Sequence, residues 1–140
     1  MSRIRLQLPD YFSFYTTIPI RITDLNYGGH VGNDTVLSLI HESRIQFLKS
    51  FGYTEMELEG ISLIMSDASI EFKTEVFYGE VLTVFIKADN FGRSGFEIFY
   101  KLVNEKNIVV AIAKTGMVCF NYNTRKVVSM PQKVRSKLAV

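Results

Sequence analysis

The sequence predicts a single α+β domain, and three observations lead there. One helical stripe of apolar residues occurs early in the chain. Four segments rich in Ile, Val, Phe and Tyr follow after residue 60, and short turns rich in Gly and Asn separate them. Residues 16–23 alternate polar and apolar side chains as a strand does, and Pro19, lacking an N–H, favours a sheet edge or a bulge. From Val36 onward, Val36, Leu37, Ile40, Phe47, Leu48 and Phe51 fall on one face at helical spacing, and Gly52 supplies a stop. That is a helix of about four turns. Leu39 and Ile45 lie off the stripe, so the helix is apolar more widely than a surface helix and is expected to be covered on both flanks. The strand segments are 61–75, 81–91, 95–104 and 108–122, with turns at 78–80, 92–95 and 104–107. The later turns are short enough for antiparallel hairpins. Five strands and one helix make a layer pair in which the sheet must hide the helical stripe. A basic stretch after Pro131, residues 132–138, is expected to form one or two helical turns.

With 47% apolar and 13% aromatic residues in 140, the chain can bury one core, and residues 1–140 are read as one domain. Sixteen Lys and Arg against fourteen Asp and Glu leave a charge of +2, too even to suggest a nucleic-acid partner. The basic residues that gather toward the end (Arg125, Lys126, Lys133, Arg135, Lys137) read as a solvated terminus, and the aromatics as sheet packing. Cys119, the one cysteine, lies in the apolar run 116–120 and reads as a buried thiol. It is compatible with a reducing compartment, and the cytoplasm is the expected location. The longest aliphatic stretch, residues 108–113, is far below the ~20 residues of a membrane span, and no signal peptide is expected. His30, His41 and Cys119 are scattered rather than paired as ligands, so neither a metal nor a cofactor is expected. Gly92–Gly95 lacks the context of a phosphate loop, and no Gly-x-Ser-x-Gly elbow occurs.

The densest cluster of functional side chains is the segment from Thr23 to Asp34, between the first strand and the helix. A helix N-terminus offers unpaired N–H groups and a partial positive charge, which stabilise a carbonyl oxygen or an oxyanion. Asp24 and His30 supply a carboxylate and a proton carrier beside it, and the glycines at 28, 29 and 32 let a substrate approach the backbone. The same residues also admit structural roles. Asp24 can bond loop amides, His30 can be a loop histidine, and Asn33 or Asp34 can be helix caps.

The run Asp24 Leu25 Asn26 Tyr27 Gly28 Gly29 His30 Val31 Gly32 Asn33 resembles the Asp-loop-His-Val-Asn-Asn signature of hot-dog thioesterases. His41 to Leu48 resembles their acidic-Arg helix pattern, and Phe77 to Leu82 their turn between the second and third strands, so the likeness runs from about residue 16 to 138. It implies a hot-dog fold, a five-stranded antiparallel sheet wrapped around one long helix. It also implies hydrolysis of an acyl thioester of coenzyme A or acyl carrier protein by a homodimer or homotetramer with sites between subunits. In that scheme Asp24 is nucleophile or base for water, the Asn33 N–H polarises the thioester carbonyl, and His30 orients or protonates. Glu42 matches a family acid, although its helical angle sets it opposite the Val36 and Phe47 stripe, toward solvent or another subunit. Gly32 stands where the family often has the first Asn of its pair, and Val36 where a Tyr is common. These departures motivate an alternative, a noncatalytic acyl-binding module; a hot-dog dehydratase is a further one, against which the loop signature argues.

Overall fold

The computed structural model describes residues 5–140. Six strands, β1 (Phe14–Pro19), β2 (Ser62–Phe72), β3 (Val81–Asp89), β4 (Gly95–Val103), β5 (Val109–Asn121) and β6 (Lys126–Val127), join two helices, α1 (Asn33–Lys49) and α2 (Gln132–Leu138). The antiparallel sheet runs β1-β3-β4-β5-β2, with the two-residue β6 added to β5. This is the hot-dog arrangement, extended by one short strand.

Alternation along the strands decides what covers α1. In β3, Leu82, Val84, Ile86 and Ala88 point inward; across the ladder Val84 faces Leu102 and Ile86 faces Tyr100, and β5 continues the layer with Ala111 and Ala113. Phe47 and Leu48 of α1 are fully buried in this layer and Ile40 with them. The sheet is therefore the partner that the wide helical stripe required.

Several boundaries differ from the sequence expectation. The first strand stops at Pro19, which sits on the edge strand β1, and residues 22–24 form a 3-10 turn instead of continuing the strand. The helix begins at Asn33, three residues before its first apolar position, because capping depends on backbone geometry and not on hydrophobicity. Leu37, placed on the stripe, is exposed, whereas Leu39, placed off it, is buried. The second strand ends at Phe72, not at 75. Gly52, at φ +82°, does end the helix.

Inside the core, α1 is fastened by polar contacts. The buried Arg44 guanidinium donates through Nε to Glu55 at 2.8 Å and through Nη1 to the Tyr100 hydroxyl at 3.3 Å, and that hydroxyl pairs with Thr115 Oγ1 at 2.8 Å. His41 Nε2 reaches Glu55 at 2.9 Å from the exposed side. Helix, central strands and the loop after α1 are thus locked together with no buried side-chain polar atom left unpaired among the described residues. On the opposite face of the sheet, residues 5–13 lie as a strap. The Leu6 N–H donates to Glu71 Oε2 at 2.6 Å, Lys87 sits over the Tyr11 ring at 4.8 Å, and Phe12 packs against Phe85. Phe99, Val103 and Ile112, which point away from α1, are buried on this face. The basic terminus is less solvated than its composition suggested. Helix α2 buries Val134 and Leu138, Arg135 donates to the Gly92 carbonyl at 2.6 Å, and Lys137 covers Tyr53.

Replacing Tyr100 by Phe leaves Arg44 and Thr115 short of a partner in a dry site, and urea unfolding is expected to show a loss of about 1 to 2 kcal/mol. Burial pushes the Glu55 carboxyl up, but the hydrogen bonds and charges of Arg44 and His41 outweigh it and hold the group below its ordinary value of 4.5. Its stabilising contribution is therefore present above pH 4.5 and lost as the pH falls below it. Glu55→Gln is expected to flatten the acid limb of a stability-versus-pH curve. Burial pushes the Cys119 thiol up to about 11, with Arg135 opposing, so iodoacetamide at pH 8 is expected to label the chain only after denaturation.

Candidate active site

Between β1 and α1 the chain makes two successive turns, and each sets one half of the site. In the first, the Asp24 N–H donates to the Arg21 carbonyl at 2.9 Å, and the Asp24 carboxylate accepts the Arg21 N–H at 2.8 Å. The guanidinium of Arg21, itself largely exposed, reaches the other carboxylate oxygen at 3.3 Å. Asp24 is only 4% exposed, a buried carboxylate held by backbone and one cation. It does bond a loop amide, as the structural alternative required. It also lines a cleft of about 360 Å³ between β1 and α1, together with Arg21, Ser38, Glu42 and Gln46.

Glu42 is exposed, as its helical angle implied, and it faces this cleft. Gln46 Nε2 donates to Glu42 Oε2 at 2.6 Å, while Gln46 Oε1 accepts from Thr16 Oγ1, so the carboxylate is tethered across to β1. The cleft accordingly holds two carboxylates of unlike surroundings, one buried and held by the Arg21 backbone and guanidinium, the other exposed and tied to Gln46.

The second turn is a small hairpin. Leu25 bridges Val31, the Asn26 N–H donates to the His30 carbonyl at 2.9 Å, and the Gly28 N–H donates to Asn26 Oδ1 at 2.8 Å. Gly29 takes φ +83°, a conformation that a side chain disfavours. The Val31 N–H then donates to the Val76 carbonyl at 2.8 Å, pinning the entry of α1 to the segment after β2. His30 Nδ1 donates to the Val31 carbonyl at 3.1 Å, so that Nε2 is the free nitrogen, 4.0 Å from Glu75.

Gly32 is the N-cap of α1, and no side chain caps the helix. A Cβ at position 32 would lie 2.7 Å from Asp34 Oδ1. The first intrahelical bond is Val36 N–H to the Gly32 carbonyl, so the N–H groups of residues 33–35 have no acceptor within the helix. Neither Asn33 nor Asp34 acts as the cap. The absence of a capping side chain leaves this helix mouth, with its partial positive charge, available to a carbonyl oxygen.

Asn33 and His30 stand at the mouth of a second cavity of about 280 Å³, walled by α1, the segment 72–76 and the sheet. Of the four site residues read from the sequence, the structure pairs Asp24 with Glu42 and His30 with Asn33, in two cavities that share Leu39 as a common wall. Sequence reasoning missed Leu82, Leu102, Val110 and Ala111 in the floor of the second cavity, and the wall after β2. Their strand alternation marked them as core, but only long-range pairing places them under the helix mouth. Among the described residues no group of three or more His, Cys, Asp or Glu is arranged to hold a metal, and no helix is long and apolar enough to cross a membrane.

An oxyanion-ready helix mouth over an apolar cavity, with carboxylates nearby, is an arrangement suited to acyl transfer. The chain belongs to the thioesterase-like superfamily, whose model matches residues 20–138. A protein of Aquifex aeolicus named "Putative esterase" is 28% identical over 76% of this chain and 82% of its own. The 1,4-dihydroxy-2-naphthoyl-CoA hydrolase of Microcystis aeruginosa is 26% identical over 83% of this chain and 86% of its own. In the fold itself, the structure of a 1,4-dihydroxy-2-naphthoyl-CoA thioesterase from Synechocystis superposes with TM-score 0.81 at 22% identity, over 89% of this chain and 94% of that one.

Proposed function

We propose that the chain hydrolyses the thioester of an acyl-coenzyme A, and the observation that carries this reading is the uncapped mouth of α1 opening on an apolar cavity. The thioester carbonyl oxygen accepts the Asn33 N–H, which strengthens as negative charge develops on it. Asp24 takes the proton of the attacking water and passes it to the departing sulfur as the tetrahedral intermediate collapses, which leaves the free acid and the carrier thiol and restores the carboxylate. His30, at the rim, orients the carbonyl end of the substrate. Coenzyme A is the carrier favoured by the names of the relatives, and acyl carrier protein is the comparison substrate.

The two half-sites of one chain call for a second copy, and we assign that role to the outer edge of β2. This strand pairs with β5 on one side only, and residues 65–68 on it are exposed. An open edge of eleven residues is a ready template for pairing with the same strand of another chain. The proposed state is a homodimer, with light scattering at micromolar concentration as its check; a monomer there removes the composite site.

Free-thiol release from a panel of acyl-CoA and acyl carrier protein thioesters tests the reaction. Asp24→Asn retains an oxygen to cap the Arg21 N–H but is a far weaker base, so kcat is expected to fall by about 10²-fold or more with the melting temperature near that of the parent. Glu42→Gln, on the wet side of the same cleft, is expected to cost less than about tenfold. Equal losses would move the base to Glu42. Absence of release above the Asp24→Asn level would favour the noncatalytic acyl-binding module.

A further inference from the structure

The cavity under the helix mouth sorts its polar and apolar walls by depth. Its polar members, His30, Asn33, Lys73, Thr74 and Glu75, are all at least partly exposed and form the rim. The deep wall is aliphatic. Val36 and Leu39 come from α1, Leu82 and Leu102 from β3 and β4, and Val110 and Ala111 from β5, each less than a tenth exposed. The one aromatic in the wall, Phe72, is half exposed at the edge. Nothing at depth donates or accepts a hydrogen bond through its side chain; Leu102 faces Ala111 in the ladder, and the Val110 carbonyl, at a bulge in β5, accepts the N–H groups of Lys73 and Thr74 at 2.9 and 3.2 Å.

We propose that this cavity is the acyl chamber and that it takes an unsubstituted aliphatic chain of medium length, with Val36 and Ala111 setting its depth. The inference rests on the hydrolytic reading above and adds the class of acyl group. With its carbonyl at the Asn33 N–H, an acyl group extends inward past Val36, so any hydroxyl far from the carbonyl is stripped of water with no partner. That penalty disfavours a hydroxylated naphthoyl group by roughly 10- to 100-fold against an aliphatic one. The cavity's 280 Å³ equals roughly nine groups of the ~30 Å³ that a liquid water occupies, a size close to that of a methylene. Since the rim takes part of that space, the cavity suits a chain of medium length and not a long one. The two small side chains limit it from opposite sides. Val36 stands on the helical wall and Ala111 on the sheet wall, and a larger residue at either position fills part of the space that the chain would occupy.

The test is kcat/KM for acyl-CoAs from butanoyl to dodecanoyl, with benzoyl- and 1,4-dihydroxy-2-naphthoyl-CoA alongside, for the parent chain, Val36→Phe and Ala111→Leu. For the parent, kcat/KM is expected to rise roughly threefold to fourfold per methylene up to the medium chains. The hydroxynaphthoyl thioester is expected to fall at least tenfold below that optimum. In each variant the butanoyl-to-octanoyl ratio is expected to rise at least tenfold. The two variants approach from different elements, so one that fails to fold by circular dichroism leaves the other to decide. A preference for the hydroxynaphthoyl thioester, or equal loss at every chain length in a folded variant, overturns the chamber while leaving hydrolysis in place. If the parent hydrolyses nothing, the hydrolytic reading fails instead. The chamber is then judged by whether octanoate raises the melting temperature of the parent and not of Val36→Phe; no shift in the parent overturns it.

Discussion

Burial of α1 against the inner face of the sheet is the constraint on which the rest of this structure depends. A helix with Phe47, Leu48 and Ile40 fully buried cannot stand in water, and a twisted antiparallel sheet with an aliphatic inner face cannot either. Packing one on the other satisfies both, and it fixes where the helix begins relative to the strands beneath it. The Arg44, Tyr100 and Thr115 contacts then set the rotation of α1 about its axis, because a hydrogen bond between buried groups tolerates little displacement. Rotation of the helix decides which side chains line each cleft. With Leu39 inward, its two flanks open on different cavities.

That rotation gives the candidate site its division of labour. On one flank, toward β1, lie carboxylates; on the other, toward β5 and the segment after β2, lies an apolar space beneath unpaired N–H groups. Leu39 lies in the wall between the two, so the polar cleft and the apolar cavity of one chain stay separate. Gly32 contributes by what it lacks. A serine or asparagine at that position would turn its own oxygen onto the helix N–H groups, so an uncapped start sacrifices a few tenths of a kcal/mol of stability to keep those donors open. The hairpin from Leu25 to Val31, fixed by Asn26 and anchored to Val76, carries His30 to the rim without relying on a long flexible loop.

The strap of residues 5–13 and the helix α2 finish the molecule from outside. The first lies against Glu71, Phe85 and Lys87 on the far face of the sheet; the second closes the core near Tyr53 with Val134 and Leu138. Both use cations as well as apolar contacts, Lys87 of β3 over Tyr11 and Lys137 over Tyr53, so that Lys137, which looked like part of a solvated end, serves as packing.

The amino-acid order by itself settled the α+β class, the one long helix stopping at Gly52, the four later strands and the short terminal helix. Each rests on local signals, namely side-chain period, glycine and proline, that need no knowledge of the rest of the chain. It also marked Asp24, His30 and Asn33, since a cluster of polar residues and glycines before an apolar helix is visible in one dimension. What it misplaced was Leu37 against Leu39, the start of α1 and the end of the first strand, where packing, capping and a missing proline N–H outweigh periodicity. Which of the marked residues share a cavity was decided only by tertiary structure. Asp24 shares a cleft with Glu42, eighteen positions away, while Asn33 of α1 shares a cavity with Ala111 of β5. Contacts between residues so distant in the chain arise from strand register and helix rotation, and neither leaves a trace in local composition.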